Sequence, residues 1–132
     1  MAEQRARITI VDDDTTFLQL MHDLLEAEEG YEVTTCAEAD RAYEFVKATQ
    51  PGLVILDIRV GSEDSGWLIL ELLTLDPQTR PMPVIVCSAA IHSLQEHEAL
   101  LQQYGCEVLP KPFDLDALLA KVQTALANSP RG

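Results

Sequence analysis

The chain has 132 residues, of which 22 are acidic and 9 are basic, so its formal net charge at pH 7 is −13. This length fits one domain, and the acidic excess argues against nonspecific binding to nucleic acid or anionic membranes, which attract clustered Lys and Arg. No apolar run approaches the roughly 20 residues of a membrane span, and the N-terminus lacks the apolar stretch of a signal peptide.

Five strand-like runs alternate with five helix-like runs along the chain. The predicted strands are Ile8–Val11, Glu32–Cys36, Leu53–Leu56, Val84–Cys87 and Glu107–Leu109. The predicted helices are about Thr15–Glu29, Glu38–Thr49, Ser65–Leu75 and Ile91–Tyr104, with a fifth that begins after Asp114. This alternation predicts βαβ units and a parallel sheet. A closed barrel needs roughly eight such units, so we expect a doubly wound, three-layer α/β sandwich.

Local signals suggest where these elements begin and end. Asp14 and Asp114 are suited to cap the N-termini of the first and last helices, and Gly30 is suited to end the first. Trp67 is expected to be the first apolar anchor of the third helix. We expect one domain over residues 1–132, with its core at about 7–126 and a polar tail at 128–132.

The cysteines and histidines show no pattern of a metal site or a disulfide framework. Cys36, Cys87 and Cys106 are an odd number without CxxC spacing, so we expect small, mostly buried hydrophobes in a reducing compartment such as the cytoplasm. The three histidines have no metal-ligand spacing and are expected at the surface or at an interface.

Carboxylates follow two of the predicted strands, at the point where each strand ends. Asp57 follows the apolar third strand, and Asp12–Asp14 follow the first. Open α/β sheets bind ligands at this edge, so the carboxylates meet if the strands are neighbours. At roughly 4 Å and an effective dielectric near 20, each like-charge pair costs about 4 kcal/mol. A divalent cation beside a reactive carboxylate would explain such a cluster, whereas Asp12–Asp14 taken alone also fit the first turn of a helix.

Two more polar residues follow predicted strands, namely Ser88 after the fourth and Lys111 after the fifth. Four features follow one another along the chain, each at a strand end: the pair Asp12-Asp13, then Asp57, then Ser88, then Lys111-Pro112. This set closely resembles the receiver domain of two-component response regulators. The resemblance covers about residues 7–126. It implies the flavodoxin-like fold typified by the chemotaxis response regulator, a five-stranded parallel sheet with strand order 2-1-3-4-5.

The resemblance also implies a phosphorylation site. Asp57 would accept a phosphoryl group from a histidine kinase or a histidine phosphotransfer protein. Asp12 and Asp13 would bind Mg²⁺ together with Asp57 and the backbone carbonyl of Arg59. Lys111 would pair with the phosphoryl group and, in our interpretation, the Ser88 hydroxyl would hydrogen-bond one of its oxygens.

Further implications of the resemblance concern the backbone and the partners. The bond between Lys111 and Pro112 is expected to be cis. A protein target or output domain would receive the signal, and homodimer formation is left open through the face of the fourth helix, fifth strand and fifth helix. Nucleic acid and membrane are not expected as direct partners, and the chain is not expected to be an enzyme beyond its own phosphorylation and dephosphorylation.

The sequence departs from the family pattern at two places. Val108 stands where the family usually has an aromatic switch residue, and the segment Val60–Gly66 differs from the usual loop after the phosphorylated aspartate. Arg59 could reach Glu63 or Asp64, or could approach the phosphoryl oxygens, and the sequence does not decide between these.

Three alternative functions follow from these departures and from the strand-end aspartate. A pseudo-receiver would use the same fold for docking without phosphorylation. A phosphatase of the haloacid dehalogenase type would need a second acid two residues after the nucleophile, where this chain has Arg59. A flavodoxin would need a phosphate-binding loop after the first strand, where Asp12–Asp14 would repel the FMN phosphate.

Overall fold

The computed structural model describes residues 5–60 and 65–128 and contains one parallel sheet. Its strands lie in the order β2-β1-β3-β4-β5, which confirms the predicted topology. They are β1 (Arg7–Val11), β2 (Glu32–Cys36), β3 (Leu53–Leu56), β4 (Val84–Ser88) and β5 (Glu107–Pro110). All four residues of the central β3 are at most 1% exposed, as expected for a strand covered on both faces.

Helices cover both faces of the sheet and complete the three-layer sandwich. They are α1 (Thr15–Asp23), α2 (Ala39–Thr49), α3 (Gly66–Leu75), α4 (Ile91–Glu96), α5 (Glu98–Tyr104) and α6 (Leu115–Ala127). Buried side chains of α2, α3, α4 and α5 share one core cluster, and those of α1 and α6 share the other. No helix in the described ranges is long and apolar enough to cross a membrane.

Two predicted helices differ from the structure. The first ends as an α-helix at Asp23 and continues as a π-helical segment, Leu24–Glu28, before Gly30 turns the chain with φ +78°. In this wider turn Leu25 stays buried, and the Glu26 carboxylate accepts a hydrogen bond from the N–H of Val33 on β2. The Glu26 carboxylate thus connects the π-helical segment to the neighbouring strand.

The helix predicted over Ile91–Tyr104 is wrong as one continuous element, because it is interrupted at His97. The His97 N–H contacts the carbonyls of both Ser93 and Leu94, and its ring stacks on Trp67 with 3.9 Å between ring centroids. Trp67 also donates a hydrogen bond to the Ser93 hydroxyl at 2.9 Å. These contacts with α3 hold His97 outside regular helical geometry and divide the segment into α4 and α5.

The predicted caps have different outcomes. Asp14 caps α1, since its side chain accepts a hydrogen bond from the N–H of Phe17 at 3.1 Å. Asp114 is the N-cap residue of α6, as predicted, with extended backbone, but its side chain accepts no capping bond from the described backbone. Its backbone carbonyl instead receives the first helical bond, from Leu118.

The cysteines behave as small hydrophobic residues. All three are free thiols; Cys36 and Cys87 are buried and Cys106 is half-buried. Burial raises the pKa of Cys87 to about 12 and that of Cys106 to about 11. These two thiols are therefore neutral near pH 7 and poor nucleophiles.

Asp76, just after α3, connects that helix to α2. Its carboxylate accepts a hydrogen bond from the Tyr43 hydroxyl and another from the Gln78 N–H, and it lies 3.0 Å from the Lys47 ammonium. Together, in that order of strength, these contacts lower the pKa of Asp76 from 3.8 to about 2. The ionised carboxylate is thus favoured in the folded protein.

The lowered pKa of Asp76 predicts a loss of stability in acid. A carboxyl group whose pKa is lower in the folded state stabilises the fold above its unfolded pKa, and that stabilisation disappears as the pH falls from about 4 to about 2. We expect Asp76→Asn to be less stable than the wild type at pH 7 and to lose less stability over this pH range. Urea unfolding at several pH values measures both effects. Asp40→Asn, an exposed change on α2, is the control, and equal pH slopes for wild type and Asp76→Asn would contradict the prediction.

Candidate functional site

The acidic residues meet at the C-terminal edge of the sheet because their strands are neighbours. Asp12 directly follows β1 and Asp57 directly follows β3, and the Asp57 N–H donates to the Val11 carbonyl at 2.9 Å. Both carboxylates are removed from water, since Asp12 is 2% exposed and Asp57 is 8% exposed. Burial of two like charges side by side requires a positive charge nearby.

Lys111 supplies that positive charge. Its Nζ lies 2.7 Å from Asp12 Oδ2 and 3.3 Å from Asp57 Oδ2. The lysine is held at this edge by its own N–H, which donates to the Ser88 carbonyl at 2.9 Å, and it precedes a cis peptide bond to Pro112, as expected. One ammonium therefore joins the tips of β1, β3 and β5.

Each carboxylate is oriented by two different contacts. Asp57 Oδ1 accepts the Arg59 N–H, and Asp12 Oδ1 accepts the Asp14 N–H, both at 2.9 Å. The other oxygen of each faces Lys111. The loop backbone on one side and the ammonium on the other therefore fix the orientation of both carboxylates.

Burial and the contact between Asp12 and Lys111 set the pKa values at the site. Burial raises the pKa of Asp12, and the hydrogen bond from Lys111 only partly opposes this. Burial alone would lower the pKa of the Lys111 ammonium, but its hydrogen bond to Asp12 and the charges of Asp12 and Asp57 outweigh burial and raise it. Lys111 is therefore a cation near pH 7, and two carboxylates share a single ammonium.

The donor set fits a hard divalent cation. Among the described residues no group of three or more His, Cys, Asp or Glu side chains is arranged to hold a metal. Mg²⁺, however, usually binds through one or two carboxylates and keeps several waters. Asp12 and Asp57, joined through Lys111, provide this pair. The exposed Asp13 and the Arg59 carbonyl stay predictions as further ligands.

Comparison with known families identifies the kind of domain that carries this site. The model of the response regulator receiver domain family matches residues 8–123. The chain belongs to this family. The match favours a receiver domain over the phosphatase and flavodoxin interpretations, and it covers every residue that meets at the sheet edge.

Relatives of this receiver domain include both long and short proteins. The transcriptional regulatory protein GlrR of Escherichia coli K12 is 33% identical over 129 residues, which are 98% of this chain and 28% of that protein. The DNA-binding dual master transcriptional regulator RpaA of Synechocystis is 29% identical over 95% of this chain and 51% of its own length. The polar-differentiation response regulator DivK of Brucella anthropi is 28% identical over 92% and 97%. The chain thus spans about half or less of the first two relatives.

Solved structures agree with the fold. The receiver domain of NtrX from Brucella abortus superposes with a TM-score of 0.77 at 31% identity, covering 92% of this chain and 99% of that one. A CheY-like receiver domain from Methanospirillum hungatei superposes with a TM-score of 0.79 at 27% identity, covering 94% and 95%.

Ser88 lies at the same edge of the receiver domain but is fully buried. It is the last residue of β4, and its hydroxyl accepts a hydrogen bond from the Ala90 N–H at 3.1 Å. The structure thus places the hydroxyl on the strand next to β3, while its contact with a phosphoryl oxygen stays a prediction.

One residue of the site was missed by the sequence analysis. The ring of Phe17, on α1, lies under the Lys111 ammonium, with 4.1 Å between Nζ and the ring centroid. In the sequence Phe17 reads as an ordinary member of an apolar helix face. A ring that turns toward a lysine 94 positions later has no signal in the local pattern.

Of the departures from the family pattern, only Val108 lies fully within the described residues. Val108 is half-buried against the core and lines an open groove of about 330 Å³ with residues of α4, α5 and β5. Gly61–Asp64 lie outside the described residues, and so do the partners Glu63 and Asp64 considered for Arg59. Trp67 anchors α3 by its contacts with Ser93 and His97.

Proposed function

We propose that this receiver domain accepts a phosphoryl group on Asp57 and signals through protein contacts. The observation that supports the proposal best is the position of the Lys111 ammonium, which bonds to both Asp12 and Asp57 at the tips of adjacent strands. The Asp57 carboxylate is buried, both of its oxygens are oriented by hydrogen bonds, and it lies beside the Lys111 ammonium. This arrangement suits attack of the carboxylate on phosphorus.

The reaction uses residues already in contact. A carboxylate oxygen of Asp57 forms a bond to phosphorus while the bond between phosphorus and the donor's leaving atom breaks, and that atom keeps the electron pair. The product is an acyl phosphate on Asp57. Lys111 neutralises charge on the transferred oxygens as a point cation, and Ser88 supplies a hydroxyl hydrogen bond. Mg²⁺ held by Asp12, Asp57, Asp13 and the Arg59 carbonyl would offset the negative charge of the carboxylates and of the phosphoryl oxygens.

The proposal includes partners and context. The donor is a histidine kinase or a histidine phosphotransfer protein, and the recipient of the signal is a protein target or an output domain. We place the receiver in the cytoplasm, which its free thiols support. The chain is a single domain over residues 1–132 that turns over no external substrate.

Self-association would use the face of α4, α5, β5 and α6. Size-exclusion chromatography before and after phosphorylation tests this proposal.

Intact-mass spectrometry tests the proposed function. The purified chain is incubated with acetyl phosphate and Mg²⁺, and a parallel sample contains EDTA. We expect one phosphoryl adduct with Mg²⁺, much less with EDTA, and removal of the adduct by hydroxylamine, which cleaves acyl phosphates. If no adduct forms and beryllofluoride with Mg²⁺ leaves the Trp67 fluorescence unchanged, the domain is a pseudo-receiver that docks without phosphorylation.

Magnesium should stabilise the fold through Asp12. A ligand present at about 100 times its Kd adds about 2.7 kcal/mol to the free energy of unfolding. We expect saturating Mg²⁺ to raise the Tm of the wild type and to raise that of Asp12→Asn far less, because the amide is a neutral and weaker ligand. Asp116→Asn, in the first turn of α6, is the matched control and should respond like the wild type. If Mg²⁺ raised the Tm of all three proteins equally, Asp12 would not be a ligand of Mg²⁺.

A further inference from the structure

The Lys111 ammonium is held on three sides, and only two of them are carboxylates. Its Nζ lies 2.7 Å from Asp12, 3.3 Å from Asp57 and 4.1 Å from the ring centroid of Phe17. A cation within about 6 Å of a ring centroid is attracted by the negative face of the ring, and more strongly where water is excluded. The Lys111 side chain is only 20% exposed, so the contact between ammonium and ring is largely shielded from solvent.

Phe17 contacts both chain segments that carry the site, the one after β1 and the one after β5. The backbone N–H of Phe17 donates to the side chain of Asp14, which lies at the start of α1 and two residues after Asp12. Its ring meets the ring of Phe113 edge to face, with 6.3 Å between centroids and 82° between planes. Phe113 follows Lys111 by two residues. The ring is therefore held between the start of α1 and the segment that follows Lys111.

We infer that Phe17 is a positioning residue that keeps the Lys111 ammonium over the Asp12–Asp57 pair; this inference rests on the phosphotransfer proposed above. A long lysine side chain loses rotamer freedom when it is immobilised, and the Phe17 ring limits the conformations that are left to Lys111. The ring attracts the cation without accepting a hydrogen bond in the usual sense, so the ammonium protons stay directed at oxygen atoms. The ammonium can then exchange a carboxylate oxygen for a phosphoryl oxygen while it remains over the ring.

Packing alone is the competing explanation, because Phe17 is half-buried against the core cluster of α1 and α6. A leucine would preserve much of that packing but has no negative face. Ring fluorination separates the two explanations more sharply, since it weakens the negative face stepwise and changes the shape of the side chain very little.

The test is the rate of Mg²⁺-dependent phosphorylation by acetyl phosphate, measured by intact mass, for a series with mono-, di- and trifluorophenylalanine at Phe17. We expect the logarithm of the rate to fall steadily along the series. Phe17→Leu should be slower than wild type by about threefold to thirtyfold, the range expected for one cation–π contact. Phe17→Tyr keeps the ring face and should keep the rate. Phe45→Leu, which changes a half-buried ring on the opposite face of the sheet, is the matched control and should also keep it.

A second measurement reports the contact itself. The ring current of Phe17 should shift the ε-methylene protons of Lys111 upfield in the NMR spectrum, and the shift should disappear in Phe17→Leu. If the wild type formed no phosphoryl adduct, the proposed function would be wrong. A wild type that is phosphorylated, with equal rates across the fluorinated series or no upfield shift, would overturn the role of Phe17 and leave the proposed function standing.

Discussion

Replacement of Asp57 by asparagine should abolish the phosphoryl adduct and leave the fold intact. Asparagine has nearly the same shape, but its amide oxygen is neutral and does not attack phosphorus as a carboxylate does. The Lys111 ammonium keeps its shorter contact with Asp12, at 2.7 Å. Removal of one of two neighbouring buried charges also lowers their mutual repulsion, so stability without metal should be equal to or higher than that of the wild type. Intact mass after incubation with acetyl phosphate, together with urea unfolding, measures both expectations.

Two other aspartate-to-asparagine variants serve as controls for Asp57→Asn. Asp116→Asn changes an exposed acid of α6 and should be phosphorylated like the wild type. Asp12→Asn should be phosphorylated slowly, since it keeps the nucleophile and loses a proposed ligand of Mg²⁺. If the full adduct were found on Asp57→Asn, the acceptor would be a different residue and the assignment of Asp57 would be wrong.

Substitution of Gly66 by alanine should cost about 3 kcal/mol of stability, at the upper end of what overpacking usually costs. The N–H of Gly66 donates to the Ile58 carbonyl at 2.8 Å. A Cβ at Gly66 would lie 2.4 Å from Ile58 Cα, 2.7 Å from the Ile58 carbonyl oxygen and 2.8 Å from the Asp57 carbonyl oxygen. All three are backbone atoms and cannot rotate away. The start of α3 would have to move from the segment that holds Asp57, the proposed phosphoryl acceptor, so phosphorylation should also slow.

Gly30→Ala is the control for the change at Gly66. Gly30 has φ +78° and nothing within 4 Å of an added Cβ, so only backbone strain is introduced. Such strain costs about 1–2 kcal/mol. Urea unfolding of both variants compares a steric clash with a conformational cost. A loss at Gly66 no larger than that at Gly30 would show that the Ile58 backbone yields easily.

The sheet and the site edge could be predicted because their signals are local. Apolar runs that end in a polar residue identify buried parallel strands and their C-terminal tips, and this located Asp12, Asp57, Ser88 and Lys111 on one edge. Strand order could not be derived from such runs alone and came from the family resemblance, which the structure confirms.

The features that were missed depend on contacts between distant segments. The interruption at His97 follows from stacking on Trp67, 30 positions earlier, and helix periodicity over Ile91–Tyr104 contains no trace of it. The Phe17 ring reads as core until the fold brings Lys111 to it. Aspartate suits the N-cap position that Asp114 occupies, but residue type alone does not determine whether the side chain makes the capping hydrogen bond.

The interruption at His97 leaves two very short helices, of six and seven residues, on one edge of the domain. Helices shorter than about 12–15 residues are marginal by themselves, so α4 and α5 depend on their side-chain contacts with the sheet and with α3. Their amide hydrogens should therefore exchange with solvent before those of β1 and β3, as in the least stable cooperative unit of a protein. The wall of the groove beside Val108 is built from these two helices, so the shape of the groove should cost less free energy to change than the shape of the central sheet.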